Sequence, residues 1–292
     1  MKVRFWGTRG SIPTPGKDTV RYGGNTSCLE VDTGGETIIL DAGSGIRELG
    51  LEMAGQMPVA CSIFISHTHW DHIHGLPFFV PLFLPGNRID IYGPPNPVSM
   101  KGIKEALAVQ MEYSYFPVRQ SELKSTIRYL NLTEGQSVTV GPATVTTTFT
   151  NHTVLNFGYR VETEGAGLFY TGDHEPFRNI YSPDNERFAE YEARVQAKED
   201  HLATFITGCR ALVADAQYTE QEYVEKVGWG HSTFDRSVRL ALKAGVERLY
   251  LIHHDPTRTD DELEAIYADL VHRYRHEPLD IRLAADGDSF DV

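Results

Sequence analysis

The stretch His67-Thr68-His69-Trp70-Asp71-His72 follows directly on the apolar run Ala60-Cys61-Ser62-Ile63-Phe64-Ile65 and sets three histidines and one aspartate within six residues. Ionisable residues at the end of an apolar strand need a reason to be there, because burying them without partners is costly. The spacing argues against one continuous helix as their carrier. A helical zinc motif places its histidines four apart on one face, whereas here the ligand candidates stand first, third, fifth and sixth. A strand ending in a loop suits them better, and it lets His67 and His69 face one ion while Asp71 and His72 turn toward a second. Imidazole nitrogen with a single carboxylate is chemistry that zinc accepts. The stretch reads as half of a dinuclear metal site.

Four ligands do not hold two ions, so further His or Asp is expected at other strand ends. Thr147-Thr148-Phe149-Thr150-Asn151-His152 sets a histidine after a threonine-rich strand, Phe169-Tyr170-Thr171-Gly172-Asp173 an aspartate after another, and Leu249-Tyr250-Leu251-Ile252-His253 repeats the pattern. Alone, each such residue is more often a cap or a loop hydrogen-bonder. Together with the first motif they form a set.

Short β-branched or aromatic runs bounded by Gly, Pro, Asn or Asp predict strands at 2–6, 28–33, 36–41, 60–66, 89–93, 143–149, 157–163, 167–172, 210–215, 247–252 and 279–283. Thr33-Gly34-Gly35-Glu36 and Glu164-Gly165-Ala166-Gly167 have the composition of hairpin turns. Helical periodicity is clearest over 186–207, 233–244 and 260–276 and weaker over 45–55 and 99–111; Ser232 or Thr233 can cap the second of these and Gly245 can end it. Strands, then a helix, then mixed units, repeated loosely twice, favour an α/β (α+β) chain of two sheets packed together with helices outside, an αββα sandwich, over a doubly wound sheet. With no linker or low-complexity segment, a single domain over 1–292 is expected, carrying a helical insert at about 174–209. That insert is acidic, and a solvated surface helix is the first reading of 186–207.

Hydrophobic residues make up 41% of the chain, enough for a sizeable core, and no run of about 18 apolar residues could span a bilayer. The N-terminus enters a strand pattern without an apolar leader, so a cytoplasmic protein is expected. Cys28, Cys61 and Cys209 are odd in number and far apart, as buried reduced thiols would be. Lys and Arg number 27 against 40 Asp and Glu, a net charge of −13. Such a surface repels polyanions, which makes long nucleic acid an unfavourable partner. A small anionic substrate is compatible with it, because divalent ions reverse the field locally.

With these residues assembled, the chain resembles the metallo-β-lactamase superfamily along essentially its whole length. The resemblance rests on His-x-His-x-Asp-His at 67–72, His152, Thr-Gly-Asp ending at Asp173 and the final His253. It implies that His67, His69 and His152 bind one ion and Asp71, His72 and His253 the other, with Asp173 bridging them and an activated water as nucleophile. The ions implied are divalent, zinc first and manganese or iron as alternatives. It also matches Asp41 to an aspartate that orients a ligand histidine from behind. True β-lactamases of the family lack such a bridging aspartate, and its diiron relatives carry Glu where His69 stands.

Ala211-Leu212-Val213-Ala214-Asp215-Ala216-Gln217-Tyr218 and Gly230-His231-Ser232-Thr233 are similar to paired loops of the ribonuclease Z and small cyclic phosphodiesterase branch, in which an acidic residue orients a histidine beside the scissile phosphate. Asp215 and His231 stand at those places. A leaving alkoxide needs a proton, which an imidazole oriented by a carboxylate can deliver. The expected function is therefore a dinuclear-metal phosphodiesterase acting on a small, cyclic phosphodiester such as a cyclic nucleotide. Ribonuclease Z proper carries a basic arm that grips transfer RNA, and 174–209 has no such character. The alternatives are a transfer-RNA 3′-processing endonuclease, a lactone or thioester hydrolase, and a non-catalytic metal-binding protein. Tyr113, Tyr115 and Phe116 could stack on a base, although core packing is the stronger expectation for them; the place of His174 stays open, and a homodimer is implied by the family alone.

Overall fold

The computed structural model describes residues 1–292. Two seven-stranded sheets lie face to face. The first contains β1 (Lys2–Gly7), β2 (Cys28–Asp32), β3 (Thr37–Leu40), β4 (Ala60–Phe64), β5 (Arg88–Gly93) and β6 (Thr126–Asn131), with β14 (Ser289–Asp291) beside β1. The second contains β7 (Ser137–Val140), β8 (Ala143–Thr150), β9 (Asn156–Thr163), β10 (Ala166–Tyr170), β11 (Ala211–Asp215), β12 (Arg248–Ile252) and β13 (Asp280–Leu283) in sequential order. Helices α1 (Ile46–Ala54), α2 (Trp70–Ile73) and α3 (Ile103–Val109) belong to the first half of the chain. Helices α4 (Phe188–Ile206), α5 (Glu220–Lys226), α6 (Phe234–Ala244) and α7 (Asp260–Arg273) belong to the second.

Strand periodicity explains the layers. In β4, Phe64 enters the core between the sheets with Phe5, Leu40, Phe157 and Tyr159, whereas Cys61 and Ile63 face outward onto Ile46 and Leu49 of α1. A strand covered on both faces reads as a continuous apolar run, which is why 60–65 carries so little polarity. On the far side, Phe169, Leu212 and Leu251 pack under Leu202 and Ile206 of α4, Val238 of α6 and Leu263 of α7. The architecture is the αββα sandwich. All three cysteines are buried and unpaired. No helix is long and apolar enough to cross a membrane.

Three of the four edge strands, β6, β7 and β14, were not among the expected strands. Edges are short and mixed in polarity because one side faces water, so they lack the apolar run that betrays a central strand. Helix α5 was missed as well, although Thr219 and Glu222 form a capping box at its start. The expected insert at 174–209 is helical only over Phe188–Ile206, and residues 174–187 precede it without regular helix. The last turns of α4 are core rather than solvated: Leu202, Ala203 and Ile206 are buried. Thr233 caps α6 by accepting from Arg236 N, and Gly245 ends it in the left-handed region at φ 71°.

Strand direction brings the motifs together. Strands β3 to β6 run parallel, as do β10 to β13, and β8 runs with β10 because both pair antiparallel with β9. The C-terminal ends of β3, β4, β8, β10, β11 and β12 therefore open on one edge of the sandwich, where open α/β sheets also place their ligands.

Candidate metal centre

His67, His69, His152 and Asp173 each bring one donor atom within 4.8 Å of the others, and Asp71, His72, Asp173 and His253 do the same. Asp173 belongs to both groups. Its Oδ2 lies 3.5 Å from His67 Nε2 and 3.8 Å from His152 Nε2, while Oδ1 lies 3.1 Å from His72 Nε2 and 3.2 Å from His253 Nε2. Nε2 of His67, Nε2 of His72 and Oδ1 of Asp173 are buried without a hydrogen-bond partner. Buried polar atoms are normally paired, so these are aimed at something the polypeptide does not supply. Converging imidazole nitrogens around a shared carboxylate fit divalent cations.

The backbone and a ring of outer residues aim the donors. Asp41 Oδ2 is 2.7 Å from His72 Nδ1 and accepts from Tyr170 Oη at 2.5 Å, while Ser66 N and Oγ donate to the same carboxylate. His152 Nδ1 donates to Gly230 O at 2.8 Å, and His253 Nδ1 lies 3.2 Å from Gln217 Oε1. With Nδ1 engaged in all three rings, Nε2 is left for the cluster. His69 instead turns Nδ1 inward, 3.0 Å from His152 Nε2. Asp71 Oδ2 accepts from Ser11 N at 2.7 Å. Asp41 and His253 leave their strands at φ 63° and 62°, a left-handed conformation that costs about 1–3 kcal/mol per non-glycine residue and persists only where surroundings enforce it.

Electrostatics in the cluster follow from burial and proximity. Burial, reinforced by the adjacent imidazoles, pushes His67 and His69 below the ordinary histidine range and keeps their lone pairs free. Burial acts to raise the Asp71 carboxyl, but His72 and His253 hold it well below the carboxylate range. Burial would lower His253 too, yet Asp173 and Asp71 push it up to about 9, so cation binding there has to displace a proton.

His231 stands at the rim. Its Nδ1 is 2.9 Å from Asp215 Oδ2 and 3.8 Å from Asp173 Oδ2, and its ring stacks on His253 at 4.7 Å. Asp215 Oδ2 also accepts from His174 N at 3.1 Å. A mouth of about 450 Å³ opens over the cluster, lined by Ser11, Thr68, His69, Asp71, Asp173 and His231 with the exposed Trp70.

Sequence reasoning missed Glu175, which fixes the loop carrying His231. Its buried carboxylate accepts from Tyr223 Oη, from Gly228 N at 2.7 Å and from Gly230 N at 3.0 Å. Gly230 sits at φ 93°, and a Cβ there would come within 2.3 Å of His152 Nδ1, so no other residue fits. The only signal in the sequence was the pair of glycines flanking Trp229. Glu175→Gln keeps the volume but turns an amide toward N–H donors. Metal affinity or turnover is expected to fall about 10–100-fold, the usual loss for an outer partner. Unchanged values for both, in metal titration and steady-state kinetics, would remove Glu175 from this role.

His174 is buried, its Nδ1 accepts from Asn151 N at 3.1 Å, and burial pushes it down to about 4, so it braces a loop rather than facing the mouth. His254 hydrogen-bonds Ala284 O and His74 hydrogen-bonds Trp70 O, both outside the cluster. Core packing does not describe the aromatic stretch: Tyr113 is 53% and Tyr115 72% exposed, and only the preceding Met111 is buried. Tyr115 lines a groove of about 650 Å³ with Trp70, beside the mouth.

Residues 36–254 match the family model described as a β-lactamase superfamily domain. The chain is 24% identical to a ribonuclease Z of Picrophilus torridus, covering 92% of each protein. Among solved structures, the metallo-β-lactamase fold protein YhfI of Bacillus subtilis superposes with a TM-score of 0.67 at 18% identity, covering 99% of this chain and 98% of the other. A diphosphatase of the PhnP family superposes with a TM-score of 0.64 at 19% identity, covering 100% and 97%. The name ribonuclease Z runs against the expectation that long nucleic acid is an unfavourable partner. From its matched residues and its fold, the chain belongs to the metallo-β-lactamase superfamily, on its ribonuclease Z-like branch, and is a metal-dependent hydrolase.

Proposed function

We propose that this protein is a phosphodiesterase in which His67, His69 and His152 hold one divalent ion, Asp71, His72 and His253 a second, and Asp173 both. The donor set makes zinc the first choice, with manganese and iron next. Bound there, the ions supply Lewis acidity and a water activated near neutral pH. The chain itself orients the ligand rings through Asp41, Gln217 and Gly230 and supplies a proton donor at the mouth. That donor is His231. Its Nδ1 is taken by Asp215, which leaves Nε2 as the nitrogen without a protein partner, available to a departing alkoxide. The Asp215–His231 pair beside Asp173 is the observation that carries the reading: it suits a reaction that releases an alkoxide, as a phosphodiester does and a thioester does not, and a lactone is set against the diesters by the assay below.

The substrate proposed first is a small nucleotide phosphodiester, of which a cyclic nucleotide is the simplest member; the net charge of −13 supports it. RNA 3′-end processing is the second reading, supported by similarity to ribonuclease Z along nearly the whole chain. Metal-reconstituted enzyme assayed on an activated aryl diester, cyclic nucleotides, a precursor transfer RNA and a lactone separates them. Turnover of the diesters without the lactone is expected. A precursor transcript cleaved with far higher kcat/KM than any small diester moves the assignment to RNA. Lactone hydrolysis alone, or no diester turnover with both ions bound, overturns the proposal.

A further inference from the structure

A cavity of about 390 Å³ adjoins the back of His152, between α4 and the loop around Gly228. Its wall carries Arg178, Arg194 and Lys198. These cations are concentrated against the sign of the whole protein, which bears −13. Arg194 has an ion-pair partner in Glu190, at 2.5 Å on the solvent side of the helix, with both side chains about two-thirds exposed. Arg178 points a guanidinium nitrogen at Gly228, and Lys198 Nζ lies 5.0 Å from the Phe177 ring centroid; neither meets a carboxylate. The one carboxylate in the wall, Glu175, accepts from Tyr223 Oη and two backbone N–H groups, and three cations stand against its single charge. Asn151 and Thr153 complete the polar lining. Thr153 also borders a small cleft that it shares with Thr68, and Thr68 lines the mouth of the metal centre, so a chain of surface joins the two sites.

From this arrangement we infer that the cavity is a second phosphate subsite, and that the substrate carries one more anionic phosphate next to the ester that is cut. This rests on the phosphodiesterase reading and narrows it. Guanidinium and ammonium groups without carboxylate partners gain most from a phosphate, which accepts several charge-assisted hydrogen bonds at once. A plain cyclic mononucleotide has no group to place there. The second phosphate is either a terminal monoester on a nucleotide or the next diester of a short strand.

The test is equilibrium binding to the metal-loaded protein, by calorimetry, of a nucleoside 5′-monophosphate, the matching 3′,5′-bisphosphate and a dinucleotide bearing a 5′-phosphate. In the wild-type protein the second phosphate is expected to tighten binding by about tenfold or more, the worth of one charge-assisted contact. Arg178→Ala combined with Lys198→Ala should erase that advantage while metal content and melting temperature stay as in the wild type, and Arg178→Lys with Lys198→Arg should restore part of it. Gain with the bisphosphate alone identifies a terminal phosphate, and gain with the dinucleotide alone identifies a strand. Equal affinity of the wild type for all three ligands, or an advantage that survives the double alanine variant, overturns the inference. Hydrolysis of an aryl diester by the wild type tests the phosphodiesterase reading separately, so failure of that reading is seen apart from failure of the subsite.

Discussion

Replacing Asp173 with alanine is expected to leave the protein unable to retain two ions and to reduce diester turnover by more than the roughly 10–100-fold lost when an outer partner is removed. Asp173 is the one residue whose donors face both ligand groups, with Oδ2 toward His67 and His152 and Oδ1 toward His72 and His253. Without it, the first group would keep only imidazoles, and the two ligand groups would no longer share a carboxylate to offset the charge of the ions they would hold. The carboxylate is also buried among five imidazoles, those of His67, His72, His152, His231 and His253, so its removal also leaves a hole in the packing of the cluster. Asp173→Asn fills the same volume and separates loss of charge from loss of packing. Metal analysis by mass spectrometry, melting temperature and turnover on an aryl diester together read the outcome. A folded alanine variant that holds two ions and retains wild-type turnover would sink the ligand assignment.

His231→Ala is expected to lower turnover about 10²–10⁴-fold, the range for a general acid, with metal content unchanged. The loss should depend on the leaving group. A nitrophenolate departs without a proton, so an activated aryl diester should lose little relative to an ester that releases an alkoxide. Asp215→Asn should follow the same pattern more weakly, since it frees the ring without removing it. The competing account is that His231 is itself a ligand, because it lies with Asp173, Asp215 and His253 in a third group of close donor atoms. A parallel fall in metal content and in turnover on both ester types would establish that account and remove the proton-donor role.

The local character of each candidate ligand was legible in the chain, because each follows a short apolar strand and ionisable residues are uncommon there. His67 to His72 announced themselves by density, and His152, Asp173 and His253 by repeating the same strand-end position. What holds them was far less visible. Glu175, Tyr223, Gln217, Tyr170 and Ser66 act through a few hydrogen bonds to residues distant in sequence, and a lone Glu or Tyr outside a motif carries no periodic signal. The aromatic residues at 113–116 misled in the opposite direction. Hydrophobic composition pointed to the core, but Tyr113 and Tyr115 lie exposed near the groove that Trp70 opens. Helix α4 was read by its net charge, which hid a buried C-terminal end and a basic wall facing His152.

The order of apolar strands and helices, the absence of a long apolar span and the spacing of His and Asp at strand ends were properties of the sequence itself. They follow from local rules: period two in strands, period 3.6 in helices, and the cost of burying a charge without a partner. Only the tertiary structure decided that six strand ends open on one edge, which oxygen of Asp173 faces which histidines, and that Arg178 and Lys198 gather behind His152. Those are long-range contacts, set by how two sheets pack and how their parallel strands align, and no window of neighbouring residues contains them.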